Sequence, residues 1–154
     1  MITHRVIPVL LLQDRALVKT RRFRHPAYVG DPINAIRIFN EKEVDELFLI
    51  DIGASRENRE PDYELLEDCA SECFMPLGYG GGICDRAQAT RLFDLGIEKV
   101  ALQTSLLQNP DLVPQIAERY GNQAVVASVD VRRNWRGQIK LWSAKEQRTL
   151  RRDW

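Results

Sequence analysis

Five short apolar runs, each separated from the next by a stretch of helical periodicity, most tightly limit what this chain can become. They are Arg5–Leu12, Glu46–Ile52, Met75–Tyr79, Lys99–Gln103 and Ala124–Asp130. Near-continuous apolar runs of this length are the pattern of parallel strands covered on both faces. Asp31-Pro32 reads as an N-cap followed by proline at the first helical position, with Ile33, Ile36 and Phe39 as the buried stripe. A second helix is expected from about Pro61 to Cys73, with Tyr63, Leu66, Ala70 and Cys73 on one side. A third starts at Asp85, carries Ala89, Leu92 and Phe93, and ends by Gly96. A fourth starts at Asn109-Pro110, carries Leu112, Val113, Ile116 and Tyr120, and stops at Gly121. Strand and helix therefore alternate, and repeated parallel βα units leave an open doubly wound sheet or part of a barrel.

The glycines decide between the two. A dinucleotide-binding sheet needs a glycine-rich turn after its first strand. Here that segment is LLLQDRALVKT, with no glycine, and the glycine run follows the third strand instead, in PLGYGGGICD from Pro76 to Asp85. This placement favours the βα-loops of a barrel. A weak internal repeat points the same way: Ala35-Ile36-Arg37-Ile38-Phe39 is similar to Ala89-Thr90-Arg91-Leu92-Phe93, on helices in equivalent positions. Val131–Lys145 reads as a hairpin turning near Asn134–Gly137, with Ile139 and Trp142 as its apolar contacts.

Composition narrows the function classes. The 154 residues carry 22 Lys+Arg and 22 Asp+Glu, so net charge gives no reason to expect nucleic-acid or membrane binding. KTRRFRH and RTLRRDW are short basic stretches without aromatics interleaved for base stacking. No apolar run approaches the ~18 residues of a transmembrane helix, and the N-terminus lacks a signal-peptide pattern. The three cysteines, Cys69, Cys73 and Cys84, form no metal-ligand motif and suit a reducing, cytoplasmic setting. Cys69 and Cys73, four apart on a helix without a nearby histidine, read as buried thiols.

At this point the residues carry a family resemblance. LVKT at Leu17–Thr20, GDP at Gly30–Pro32, VDELFLIDI at Val44–Ile52, GGGI at Gly80–Ile83, QNPDLV at Gln108–Val113 and GNQAVVASVD at Gly121–Asp130 resemble the cyclase subunit of imidazole glycerol phosphate synthase, the HisF family. PVLLLQDRALVKTRRF and YVGDPINAIRIFNEKEVDELFLIDI are more similar to a HisF-like branch found with surface-polysaccharide genes, where a glutaminase and a sugar amidotransferase are thought to build acetamidino groups. The fold implied is a (β/α)8 TIM barrel, which takes about 250 residues. The expectation is one half-barrel domain over residues 1–154: about four βα units, a fifth strand, and a tail from 131 onward. Strands six to eight and the second phosphate cup are expected to be missing.

The resemblance also implies site residues. Gly81, Gly82, Gln103 and Thr104 match a phosphate cup, with Gln103 where the family usually has Asn; the same glycines equally suit a tight turn at positive φ. Asp130, Lys19 and Asp51 match active-site positions. Leu11 stands where the family has a catalytic carboxylate, and a leucine transfers no proton. Lys19 falls in a long basic loop with Arg21, Arg22, Arg24 and His25, which either folds over a phosphorylated or nucleotide-sugar ligand or is a solvated loop. Strand parity places Arg5, Glu46 and Lys99 together inside the N-terminal mouth. There the family admits ammonia from a docked glutaminase; a plain salt-bridge cluster fits as well. No cofactor or metal is implied. The expected partners are a phosphorylated small molecule, a glutaminase for full-length relatives, and further copies of the chain. Self-association follows from open edges on strands one and five and from Ile7, Val9, Leu11, Phe48, Ile50 and Ala101 facing water, unless the tail with Trp135, Trp142 and Trp154 covers them.

Overall fold

The computed structural model describes residues 4–21 and 24–150. Its elements are β1 (Val9–Gln13), β2 (Ala16–Arg21), β3 (Arg24–Gly30), α1 (Pro32–Glu41), β4 (Leu47–Asp51), α2 (Ala54–Glu57), α3 (Tyr63–Glu72), β5 (Leu77–Gly80), α4 (Arg86–Asp94), β6 (Lys99–Leu102), α5 (Thr104–Gln108), α6 (Leu112–Tyr120), β7 (Val125–Ala127), β8 (Val131–Arg133), β9 (Ile139–Ser143) and β10 (Arg148–Thr149). A 3-10 turn, Asn122–Ala124, leads into β7. The helix starts follow from their caps. Asp31, Asp62 and Asp85 each accept a hydrogen bond from the amide three residues on, at 2.9, 3.1 and 2.8 Å.

The main sheet runs β3-β2-β1-β4-β5-β6-β7. From β1 through β4, β5 and β6 to β7 every pairing is parallel. One face of this sheet carries Leu12, Leu47, Leu49, Leu77, Tyr79, Val100 and Leu102. These pack in one core with Ile36, Leu66, Cys69, Ala89, Leu92, Leu112 and Ile116 from the helices. Each such side chain contributes roughly 1.5–3 kcal/mol on burial, so this layer holds the fold together. Burial also pushes the Cys69 thiol up to about 12, as expected of an inert core cysteine. Among the described residues the opposite face has no helical layer: Val9 is 56% exposed and Val126 36%. Five parallel strands with helices on one side only are half of a (β/α)8 barrel, with the would-be lumen open.

Several expectations need correction. The first strand starts at Val9, not Arg5, because Pro8 has no amide to give the ladder, although its carbonyl still accepts from the Phe48 amide at 2.9 Å. The fifth ends at Ala127; the bond from the Ser128 amide to the Leu102 carbonyl, at 2.9 Å, closes it, and Asp130 lies beyond. The glycine-free segment after β1 is no loop. It folds into β2, antiparallel to β1, through a two-residue turn in which Asp14 and Arg15 both have positive φ, 50° and 63°, and the chain returns as β3, antiparallel to β2. Such a turn normally demands glycine or asparagine. Here Arg15 is anchored across it, to Glu64 at 2.9 Å and Asp62 at 3.3 Å. Lys19 is therefore a strand residue opposite Ala27, exposed, and not part of a long loop.

That hairpin also changes the edges. The outer side of β1 is paired with β2 from Leu11 to Gln13, so the sheet ends at β3, a strand carrying Pro26 and an irregular register, both features that discourage further pairing. Of the residues expected to face water, Ile7 and Val9 are exposed and Leu11, Ile50 and Ala101 are half-buried, while Phe48 is 8% exposed because its ring lies over Gly78, where any Cβ would collide with it. The repeated helical segments differ in orientation, since Ile38 is exposed while its counterpart Leu92 is buried. The hairpin expected near Asn134–Gly137 is present as β8 paired with β9, extended by β10. Within it the Arg132 guanidinium stacks 4.5 Å over the Trp142 ring. Arg22 of the basic stretch and Trp154 of the tail lie outside the described residues. Among the described residues, no helix is long and apolar enough to cross a membrane.

Candidate functional site

The sheet places its polar residues at its two ends. At the N-terminal end Glu46, just ahead of β4, is 1% exposed. Its carboxylate accepts from Lys99 Nζ at 2.5 Å and lies 3.5 Å from Arg5 Nη2. Arg5 reaches this point from outside any strand, also touching the Asp45 carbonyl at 3.5 Å. The three charges whose meeting strand parity predicts are thus in contact, with Glu46 at the centre. Removing the central carboxylate should be costly. Breaking a fully buried pair costs about 3–5 kcal/mol. Here the Lys99 side chain is 25% exposed and Arg5 54%, so water takes up part of the loss. Glu46→Ala is expected to cost about 1–3 kcal/mol, read by urea unfolding. In Glu46→Leu/Lys99→Met much of that loss should return, because the one cation left without its carboxylate, Arg5, is more than half exposed and stays hydrated. A double variant no better than the single one would contradict this reading.

At the C-terminal end, β4, β5 and β6 deliver Asp51, the glycine run and Gln103-Thr104. Asp51 accepts from the Gly53 and Ala54 amides at 2.8 and 2.9 Å, which starts α2, and its other oxygen lies 3.6 Å from Arg59 Nη1. By alternation along β4 it shares the helix-covered face with Leu47 and Leu49, not the lumen face with Phe48 and Ile50. A cavity of about 240 Å³ opens beside it, lined among others by Asp14, Arg59, Asp62 and Tyr79. The Tyr79 hydroxyl is buried without a partner among the described residues, and burial pushes its ionisation well above the usual tyrosine range.

The glycine run answers to the chain itself. Gly81 and Gly82 have φ of +124° and +72°, and a Cβ at Gly81 would sit 2.5 Å from the Asp51 carbonyl oxygen. One at Gly82 would meet the Arg59 carbonyl. So the turn is threaded against the β4–α2 loop and tolerates nothing larger. The Gly82 amide donates to Ser55 Oγ at 3.2 Å, and the Ser105 hydroxyl donates to the Ile83 carbonyl. That second bond ties the start of α5 to the glycine turn and brings Gly81-Gly82 beside Gln103-Thr104. Gln103 Nε2 is buried there with no partner among the described residues. Asp130 is half-buried beyond the end of β7, its carbonyl accepting from the Trp142 amide at 2.9 Å. Lys19 lies on the β2–β3 hairpin, and no ion pair joins it to Asp130 among the described residues. The hydroxyl of Ser105 was legible as a donor beside the glycine turn, but Ser55 and Arg59 were not legible as site residues, since both fall in the polar run from Ser55 to Glu60, where no pattern sets one residue apart from its neighbours. Among the described residues, no group of three or more His, Cys, Asp or Glu is arranged to hold a metal ion.

A one-sided parallel βα sheet, with ordered polar loops at its C-terminal strand ends, places the chain in the class of (β/α)8-barrel proteins. Residues 5–152 match the family described as "Histidine biosynthesis protein", and the chain belongs to that family. It is 54% identical over 152 residues to a Pseudomonas aeruginosa protein named "Putative imidazole glycerol phosphate synthase subunit hisF2", covering 99% of this chain and 61% of that one. A Vibrio vulnificus relative with the corresponding name hisF3 is 54% identical over 86% of this chain and 51% of its own length. "Imidazole glycerol phosphate synthase subunit HisF" of a Nocardioides species is 41% identical over 84% of this chain and 50% of its own. The chain is thus related to the HisF cyclase subunits and spans about half to three-fifths of these relatives.

Proposed function

We propose that this chain provides the N-terminal half of a HisF-type, ammonia-accepting barrel, with Gly81, Gly82, Gln103 and Thr104 forming a phosphate cup and Arg5, Glu46 and Lys99 forming the ammonia gate. The observation that carries the reading is the Glu46 cluster. A carboxylate 1% exposed, held by two cations at the N-terminal mouth, sits at the opposite end of the sheet from the glycine turn. A barrel that takes ammonia at one end and holds a phosphorylated substrate at the other needs this separation. The higher identity to the relatives named hisF2 and hisF3, 54% each, than to the Nocardioides HisF, 41%, supports a place in a paralogous branch. For that branch we propose a phosphorylated or nucleotide-linked sugar as substrate and a glutaminase as ammonia source.

Catalysis of the HisF type is not expected from these 154 residues. Leu11 in β1 stands where the resemblance calls for a carboxylate, and the loss of such an acid–base group costs typically ~10²–10⁴-fold in rate. Asp51 is engaged in starting α2 and holding Arg59. The expected result is no ammonia-dependent turnover of the family's aminoimidazole-ribonucleotide substrate above background. Measurable turnover that disappears in Asp130→Asn would overturn it. A second reading, a self-associating scaffold without catalysis, is favoured by one observation: Val9 and Val126 stand exposed on the uncovered face of the sheet.

A further inference from the structure

The Gly82 amide is already taken. It donates to Ser55 Oγ at 3.2 Å, and the segment bearing Ser55 is fixed in place. Asp51 holds the Gly53 and Ala54 amides at one end of that segment, and the Arg59 carbonyl is wedged against Gly82 at the other. The backbone that carries the serine is therefore held beside the Gly82 amide. A hydroxyl has one hydrogen to donate and two lone pairs to accept with. Ser55 spends a lone pair on Gly82, and among the described residues its own hydrogen has no acceptor. Accepting a bond from Gly82 polarises the hydroxyl and makes it a better donor. At the adjoining strand end Gln103 Nε2 is a second donor, buried and without a partner among the described residues.

We propose that Ser55 is an anion-binding residue of the phosphate cup, its oxygen held by the Gly82 N–H and its own hydrogen offered to a phosphate oxygen. This rests on the phosphate-cup reading and adds a ligand contact from a different element, α2. Gly82 then acts through the serine, as a positioning residue that fixes and polarises the hydroxyl. Two donors with no acceptor of their own among the described residues select an acceptor-only oxyanion, such as a phosphate monoester or diester, over groups that must themselves donate.

The test is a titration of the ¹⁵N-labelled 154-residue chain with inorganic phosphate, followed on the amide resonances of Ser55, Gly82 and Thr104. Ser55→Ala should raise the dissociation constant about tenfold, the scale of one hydrogen bond to a charged group. Ser55→Thr, which keeps a hydroxyl, should stay within about twofold of the parent. The positions of the Ala54 and Ile83 amides in the phosphate-free variants report that the segment has kept its fold. Ser55→Ala binding as tightly as the parent, or more tightly, would overturn the proposal by showing that the Gly82 N–H is itself the ligand donor. Equal weakening in the alanine and threonine variants would overturn it too, as the mark of a merely structural serine. A parent chain whose resonances ignore phosphate would sink the cup reading, and this proposal with it.

Discussion

Gly81→Ala should unfold much of the population or cost about 2–5 kcal/mol, against the ~5–15 kcal/mol that stabilises a typical domain. Two effects add. Gly81 has φ +124°, a backbone region open essentially to glycine alone. Its added Cβ would also stand 2.5 Å from the Asp51 carbonyl oxygen and 2.9 Å from the Asp51 Cβ. Both are atoms of a neighbouring strand end and cannot swing aside like the tip of a flexible side chain. Relief requires the β4–α2 loop to move, which would disturb the bonds from Asp51 to the Gly53 and Ala54 amides and to Arg59. Gly137→Ala is the control. That glycine also has positive φ, +78°, but no atom lies within 4 Å of where its Cβ would be. Only the backbone term remains, about 1–2 kcal/mol. Urea unfolding of the two variants separates close approach from conformation. Equal losses would mean that the Asp51 contact does not matter.

The same glycines show how far the sequence could be read. Three in succession after an apolar run announce a place where no side chain fits, and that holds. Among the described residues the bodies that approach most closely are the chain's own Asp51 and Arg59, which depends on a neighbouring loop that local pattern does not specify. Strand and helix order was legible because burial on both faces makes parallel strands nearly continuous in apolar residues, and because aspartates at 31 and 85 mark helix starts. The meeting of Arg5, Glu46 and Lys99 was legible from strand parity, which needs no knowledge of the loops. The β2–β3 hairpin was not. Its basic residues hide any alternation, and its turn, Asp14-Arg15, carries neither glycine nor asparagine; ion pairs to α3 take their place. A four-residue helix such as α2 is too short to show a period, so Ser55 gave no signal.

The second large effect concerns the uncovered face of the sheet. Val9, Leu11, Ile50, Ala101 and Val126 line it, with Val9 56% exposed. Among the described residues the hairpin tail packs elsewhere: a cavity of about 140 Å³ sets Ser143, Glu146, Arg148 and Leu150 against Thr104, Leu107 and Gln108 of α5. Covering each large apolar side chain completely is worth roughly 1.5–3 kcal/mol, so a few together are comparable with the stability of the whole domain. Two copies related by a two-fold axis bury the same patch on both. The β2–β3 hairpin already guards one side of the sheet, which leaves β7 as the strand through which copies would extend pairing.

Sedimentation equilibrium of the 154-residue chain at micromolar concentration tests the half-barrel account most directly. The account predicts a dimer or larger species that falls to the monomer when a charge is placed on the open face, as in Val9→Asp or Ile50→Lys, with far-UV circular dichroism unchanged. A parent chain that sediments as a folded monomer of 17.7 kDa would contradict it, because the face left open by half a barrel would then need no cover.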